Sequence, residues 1–298
     1  MTVDRILREH YKNYPSESDT RHKTKKDLWE VKQHYKTLET KLQMDGKVLT
    51  DIPRYFDNMK QLGLPKQQFN IRCVKSGITF SSFMNSESSE PACIFIVYVF
   101  EHLQKHGVDV SKLTIQVDAA SYVICTRSPK ISRFRKLVEK VYGAKLKIVP
   151  GGKTKQSDVE SFNGIVEREF FKRKDFSSKK DFYSKYYQFL FNFNYVRKNR
   201  HKGWKTPLYF LSQDQPKINS DVLMLPPINL DKHSDMYYYK LNPKHLTLDN
   251  ILSLEQFLEK NEYIENFNFD QYIESLPNLY RQSNKSSAHP QSQSEFHS

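Results

Sequence analysis

The chain has 298 residues, enough for one domain of roughly 150–200 residues with appendages, or for two small domains. Its formal net charge of +13 is uneven: residues 217–298 contain 7 Lys/Arg and 11 Asp/Glu, which leaves 40 and 23, a net charge of +17, in residues 1–216. The three cysteines show no CxxC spacing, and the most apolar run, Ala92 to Phe100, is far shorter than a spanning helix of ~20 residues. These features exclude a disulfide scaffold, a cysteine-rich zinc site and a membrane protein, and they predict a reduced, cytoplasmic protein with a polyanionic partner.

The predicted elements begin with an amphipathic helix inside the charged residues 1–40, where apolar side chains recur at helical spacing from Leu28 to Leu38. Three strand patterns follow: LQMDGKVL, FNIRCV and GITFSSFM, with Gly77 as a hairpin signal between the last two. The proline-bounded residues 53–68 form an insertion between the first two strands. We therefore expect three consecutive antiparallel strands.

The next segments alternate helices with strands. In chain order they are a helix over Pro91–His106, a strand over Leu113–Asp118, a helix around Ile131–Tyr142, a strand over Lys145–Val149, and helices over about Gln156–Lys172 and Lys179–Asn199. This order predicts an α/β fold with a mixed five-stranded sheet flanked by helices, and with helical N- and C-terminal extensions. The predicted regions are a charged helical lead-in (1–40), a catalytic core (41–211), a linker (212–245) and a helical to disordered tail (246–298).

Three acids occupy positions that suggest a metal site. Asp45 lies in mid-strand, where Asp is disfavoured, and Asp118 ends the strand LTIQVD, where open α/β sheets bind ligands. Glu160 lies in a first helical turn, beside the apolar stripe of its helix. If the first and fourth strands are neighbours and this helix packs over them, the acids converge and could hold two Mg²⁺ or Mn²⁺ ions. Singly, each also has a structural explanation: a tolerated edge-strand acid, a turn or cap acid, and an acid favoured by the helix dipole.

Three sequence blocks, QMDGKVLTDIP, LTIQVDAASYV and KTKQSDVESFNGIVEREFF, resemble the catalytic blocks of the integrase core (DDE) family of insertion-sequence transposases and retroviral-type integrases. The resemblance runs from about Asp27 to Leu211 and includes the closing segment NYVRKNRHKGWKTPL. It implies a ribonuclease-H-like fold in which Asp45, Asp118 and Glu160 are the catalytic, metal-binding acids. It also implies metal-dependent cleavage and strand transfer in DNA integration, by homo-oligomers acting on element ends and target DNA in the nucleoid.

The sequence departs from this family in places. Ala119 and Ala120 follow Asp118 where the family usually has Asn-Gly, Cys73 stands where relatives commonly carry an acid, and Gly46 replaces a β-branched residue. Residues 1–40 are too short for the helix-turn-helix that insertion-sequence members place before the core. The sequence is therefore interpreted as a truncated transposase. The alternatives are a catalytically inactive DNA-binding remnant and a hydrolytic nuclease on the same fold.

Two groups of side chains are candidate DNA contacts. The group that flanks Glu160 consists of Lys153, Lys155, Gln156 and Asn163. The group beside Trp204 consists of Arg197, Lys198, Arg200, His201 and Lys202. His102 and His106 stand four apart on a predicted helix, but no cysteine or acid completes a zinc set, so we interpret them as structural. The aromatic row Phe182, Tyr186, Phe189 and Phe193 has helical spacing and predicts a core-facing stripe.

Overall fold

The computed structural model describes residues 32–85, 90–118, 134–149 and 156–233. Its centre is a six-stranded sheet with the strand order β5-β4-β1-β2-β3-β6. The strands are β1 (Lys41–Val48), β2 (Gln67–Cys73), β3 (Thr79–Met84), β4 (Thr114–Asp118), β5 (Lys145–Val149) and β6 (Ile228–Asn229). The mixed α/β sheet flanked by helices that the sequence predicted is confirmed. The expected count of five strands is corrected by the short strand β6.

The pairing of the strands follows from their connections. β1, β2 and β3 are antiparallel neighbours, and the β2–β3 turn is closed by Gly77 at φ +84°. β4 and β5 join the other edge of β1 as parallel strands. Parallel neighbours need long crossovers, and helices provide them. The predicted adjacency of the first and fourth strands is therefore present, with Met44 paired to Val117.

The helices cover both faces of the sheet. They are α1 (Pro53–Leu62), α2 (Glu90–Lys105), α3 (Ser157–Val166), α4 (Lys179–Phe191) and α5 (Pro207–Asp214). α3 and α4 continue as π-helical segments, Glu167–Phe171 and Asn192–Val196, and a further π-helix, Lys136–Val141, precedes β5. None of the helices in the described part of the chain is both long and apolar enough to cross a bilayer.

The insertion predicted between the first two strands contains helix α1. Pro53 occupies its first turn, where a missing N–H is tolerated, and Gly63 ends it in the left-handed region at φ +63°. The Tyr55 ring is fully buried, and its hydroxyl donates to the Pro65 carbonyl at 2.8 Å. This insertion is therefore part of the core.

The two faces of the sheet bury different side chains because residues alternate along each strand. Leu42, Met44, Ile71 and Phe80 face α2, whose residues from Ala92 to Phe100 are all buried. Gln43, Asp45, Asn70 and Ser81 lie on the opposite face, under α3 and α4. This second face is covered by an aromatic cluster that includes Phe162, Phe170, Phe182 and Tyr186.

One predicted boundary needs correction. Residues 212–233, predicted as part of a linker, fold onto the sheet: Val222, Leu223 and Leu225 are buried, and Ile228 pairs with Ser82 in β6. The core therefore extends beyond residue 211, because these apolar side chains belong to the main hydrophobic cluster and β6 pairs with β3. The predicted lead-in helix lies largely outside the described residues, and only residues 32–33 of it are helical in the described part. The tail, residues 246–298, lies wholly outside.

Candidate active site

Two of the three predicted acids lie on adjacent parallel strands. Asp118 is the last residue of β4, and Asp45 follows Met44, the partner of Val117, in β1. Both side chains are half-buried. Parallel strands in register bring residues at the same level within side-chain reach. The sheet therefore places Asp45 and Asp118 side by side, as the sequence predicted.

Helix α3 lies along β1 and brings the third acid to the same region. Three polar contacts join alternate residues of β1 to residues four apart on α3. They are the Val159 N–H to Gln43 Oε1 (3.2 Å), Asn163 Nδ2 to Asp45 Oδ2 (2.8 Å), and Lys47 Nζ to Glu167 Oε2 (2.7 Å). Residues four apart share one face of a helix, so this face is fixed against β1. Glu160, next to Val159 in the first turn, is exposed beside that face.

The three carboxylates influence one another. The pKa of Asp45 is raised to about 6, chiefly by burial and also by the charges of Glu160 and Asp118, while hydrogen bonds from the Gly46 N–H and Asn163 oppose the shift. The pKa of Glu160 is also raised, first by burial and then by the charge of Asp118. Negative charges that repel one another in a half-buried site are stabilised by an added cation. The site therefore has the electrostatics of a cation-binding position.

The donor chemistry fits a hard divalent cation, since all three side chains offer carboxylate oxygens. Within residues 32–85, 90–118, 134–149 and 156–233, however, no three His, Cys, Asp or Glu side chains stand grouped closely enough to hold a metal ion. Asp45 is fixed by its contact with Asn163, whereas Glu160 is exposed and has three rotatable side-chain bonds. A metal site made of these three acids would therefore require at least one of their side chains to rotate.

Three of the predicted DNA contacts are inside the protein. Gln156 is 3% exposed at the start of α3, and Asn163 is 8% exposed with both ends of its amide hydrogen-bonded. Lys202 is 5% exposed, and its ammonium donates to the carbonyls of Val74 and Lys75, both at 2.6 Å. These three predictions are corrected, because buried polar groups with internal positions do not reach DNA. Lys153 and Lys155 lie outside the described residues.

The closing segment presents the remaining predicted contacts. Arg197 is half-buried in a two-point ion pair with Glu169, whereas Lys198 and Arg200 are exposed. The Trp204 indole is 62% exposed, on a residue with φ +58°. This turn is held by a β-bridge between Asn199 and Lys205. We call the exposed side chains of Lys198, Arg200, Trp204 and Lys205 the tryptophan turn.

The structural role predicted for the two histidines is confirmed. His102 Nε2 lies 2.8 Å from the Val222 carbonyl oxygen, and His106 Nδ1 lies 2.8 Å from the His102 carbonyl oxygen. Burial lowers the pKa of His102 to about 4. The predicted aromatic stripe of α4 is confirmed as well, since Phe182 and Tyr186 are fully buried.

The sequence analysis missed a polar network behind Asp45. Asn70 on β2 is fully buried and donates through Nδ2 to Asn163 Oδ1 at 2.7 Å. Ser81 on β3 donates to Asn70 Oδ1 at 2.5 Å and lies 2.9 Å from the Tyr186 hydroxyl. The sequence did contain a signal for this network. The polar residues Gln68, Asn70 and Arg72 alternate along a strand whose other face is apolar. The network links Asp45 to helix α4.

No protein-family model matches the sequence, and neither does any curated protein. The solved structures that are similar to the chain include the following two. One is a chain of the cryo-EM structure of a simian T-cell lymphotropic virus intasome in complex with PP2A regulatory subunit B56 gamma, with 14% identity, a TM-score of 0.41, and coverage of 64% of this chain and 57% of that chain. The other is the catalytic core domain of BIV integrase, with 16% identity, a TM-score of 0.36, and coverage of 60% of this chain and 98% of that one. The match thus spans little more than half of the viral intasome chain, and identities this low do not transfer an activity.

Proposed function

We propose that the chain is a DNA integrase or transposase catalytic protein that cleaves and joins DNA strands with Mg²⁺ or Mn²⁺. The observation that carries the proposal is the placement of Asp45 and Asp118 on adjacent parallel strands, with Glu160 close enough to affect the pKa of Asp45. Acids that repel one another are unfavourable for folding. A function in cation binding explains why they are together.

In this proposal Asp45, Asp118 and Glu160 hold the ions. Bound divalent ions would activate the attacking oxygen and stabilise the leaving oxygen of a phosphodiester. Asn163 holds the carboxylate of Asp45 in one orientation, and the ion pair of Lys47 with Glu167 holds α3 against β1. Glu160, which is exposed, would have to rotate its side chain to join Asp45 and Asp118 at the ions. Joining two DNA ends in concert needs more than one active site, so we expect the chain to self-associate on DNA.

The first test is a cleavage and strand-transfer assay with Mn²⁺ on labelled duplex DNA. Asp118→Asn should lower the rate on the order of 100-fold or more, because it removes a charge that the reaction requires. Asp158→Asn is the matched control: this acid lies two residues from Glu160, but it is paired with Lys32 at 2.5 Å. It should retain activity.

The outcomes separate three functions. Joined products that need Asp118 support a strand transferase, whereas nicked DNA without joined products indicates a nuclease. DNA binding without any metal-dependent cleavage indicates the inactive remnant. Equal activity of the native protein and Asp118→Asn would remove the proposed mechanism.

We also propose the tryptophan turn as a DNA contact. Its exposed cations suit phosphates, and an exposed indole suits stacking on a base. Arg200→Ala should weaken DNA binding and lower the salt dependence of log K by about 1. Lys112→Ala is the control, because it removes one exposed charge at the opposite end of β4 from Asp118. Equal salt dependence in the two variants would rule out a phosphate contact at Arg200.

A further inference from the structure

A row of polar side chains crosses the sheet beneath helices α3 and α4. Asp45, Asn70 and Ser81 are directly opposed residues on β1, β2 and β3. Opposed residues point to the same face of the sheet, so the row lies beneath the aromatic cluster that covers this face. Asn70 is 0% exposed and Ser81 is 1% exposed. Buried amides without partners are costly, so the partners of Asn70 determine what this row does.

The hydrogen bonds of Asn70 fix the orientation of its amide as long as Gln68 directs its Nε2 at Asn70; the Oε1 of Gln68 is buried without a hydrogen-bond partner. Its Oδ1 accepts from Ser81 Oγ at 2.5 Å and from Gln68 Nε2 at 3.1 Å. Its Nδ2 donates to Asn163 Oδ1 at 2.7 Å. Reversal of the amide would direct its Nδ2 at the Gln68 Nε2 donor and its oxygen at the Asn163 oxygen. These hydrogen bonds therefore hold the Asn70 amide in the orientation described.

The orientation of Asn70 determines the orientation of the Asn163 amide. Because Asn163 Oδ1 accepts from Asn70, Asn163 Nδ2 must point the other way, toward Asp45 Oδ2 at 2.8 Å. Asn163 can then only donate to Asp45, which favours a carboxylate that accepts. At the far end, Tyr186 contacts both Ser81 and Gln68, so α4 supports the donors on Asn70.

We infer that Asn70 is a positioning residue for Asp45. It fixes the Asn163 amide, and this amide holds the Asp45 carboxylate in the orientation needed to bind a metal ion. The part that concerns metal rests on the proposed function, whereas the orientation of Asn163 does not. Asn70 touches neither the acid nor a substrate. Supports of this kind commonly change metal affinity about 10–100-fold when they are removed.

The test compares Asn70→Leu with Asn194→Leu. Asn194 is a matched control: it is 1% exposed, and its amide accepts from the Thr79 N–H and donates to the Thr79 carbonyl, both at 3.0 Å, without contact to the acids. Both variants remove a buried amide of similar size, so both should lose stability. Ser81→Ala removes only one donor to Asn70 and provides a milder variant that should fold. The stability of each protein is measured by urea unfolding.

Two readouts decide the inference. In metal-free protein, the side-chain NH₂ signals of Asn163 in ¹⁵N-edited NMR spectra should be slow to exchange with solvent in the native protein and Asn194→Leu, and fast in Asn70→Leu, with a smaller change in Ser81→Ala. The Mn²⁺ affinity measured by calorimetry should fall about tenfold or more in Asn70→Leu and less than twofold in Asn194→Leu.

The possible results distinguish the positioning role of Asn70 from the proposed function. Unchanged Asn163 signals in Asn70→Leu and Ser81→Ala would overturn the positioning role, whether or not metal binds. Native protein that binds no Mn²⁺ would remove the proposed function, and the NMR comparison would then decide the role of Asn70 alone. Mn²⁺ affinity that falls equally in Asn70→Leu and Asn194→Leu would show a general loss of folding and would also overturn the inference.

Discussion

The two faces of the central sheet are built from the same strands but have opposite character. Toward α2, the sheet presents apolar side chains such as Met44, Ile71 and Phe80, and the helix itself is buried on every side from Ala92 to Phe100. Toward α3 and α4, the neighbouring residues in the same strands are polar, among them Asp45 and Asn70. The strand period of two thus separates a face that stabilises the fold from a face that carries the chemistry.

The row of Asp45, Asn70 and Ser81 on the polar face can be buried because these three side chains have hydrogen-bond partners. Asn70, Asn163 and Ser81 bond to one another, and the rings above them pack edge to face, as Phe170 does on Tyr186 at a centroid distance of 5.0 Å. A satisfied network of this kind is rigid, whereas a partly satisfied one destabilises a core. The comparison of the two faces leads to three predictions of decreasing size.

The largest effect should come from the apolar face. Phe80 is 1% exposed and packs against His102 at a ring distance of 6.1 Å. Phe80→Ala should lower the free energy of unfolding by about 3–5 kcal/mol, because it leaves a cavity between the sheet and α2. Urea unfolding measures the loss, and cleavage per folded molecule should stay unchanged. A large loss of activity at full folding would mean that the two faces are not separate in function.

A smaller effect of opposite sign is expected on the polar face. Asp45→Asn removes a half-buried charge that Glu160 and Asp118 repel, while the Asn163 amide keeps an oxygen to bond. Without metal at pH 7, the free energy of unfolding should rise by about 1 kcal/mol, whereas DNA cleavage should be lost. A destabilised Asp45→Asn protein would contradict the view that this acid is retained for chemistry at the expense of stability.

The smallest effect concerns Glu101, an acid on the apolar side. Burial raises its pKa from 4.5 to about 7. The folded state therefore holds a proton that the unfolded state has released, so this residue's contribution to stability falls as pH rises from about 4.5 to 7. Glu101→Gln should flatten that part of the stability profile, by under about 1 kcal/mol because the residue is partly solvated. Parallel profiles of the native protein and the variant, measured by urea unfolding at several pH values, would refute the shift.

The strands and most helices could be predicted from the chain because their signals are local. Alternation identified β1 to β5, and helical spacing identified α2, α3 and α4 within a few residues. The sequence predicted that Asp45 and Asp118 converge on the condition that the first and fourth strands are neighbours, and the pairing of β1 with β4 meets that condition. Helix α1 and strand β6 were missed: the first was concealed between prolines, and the second is two residues long and exists only through its pairing with β3.

The predicted DNA contacts show where local reasoning fails. Lys202 and Arg200 stand in the same basic run, yet Lys202 is buried against the Val74 and Lys75 carbonyls while Arg200 is exposed. Gln156 and Asn163 were chosen because they flank Glu160, but α3 turns both inward. Charge and proximity along the chain do not reveal which side of a turn or helix meets the sheet.

Local spacing along the chain was thus enough to define the strands and the main helices and to name three candidate acids, since side-chain periodicity needs only neighbours in sequence. The partners of those acids came from packing. Asn70, Asn163 and Tyr186 belong to different elements, and they meet only when α3 and α4 close over the sheet. Their hydrogen bonds join residues up to 118 positions apart, and contacts at that range depend on the whole fold.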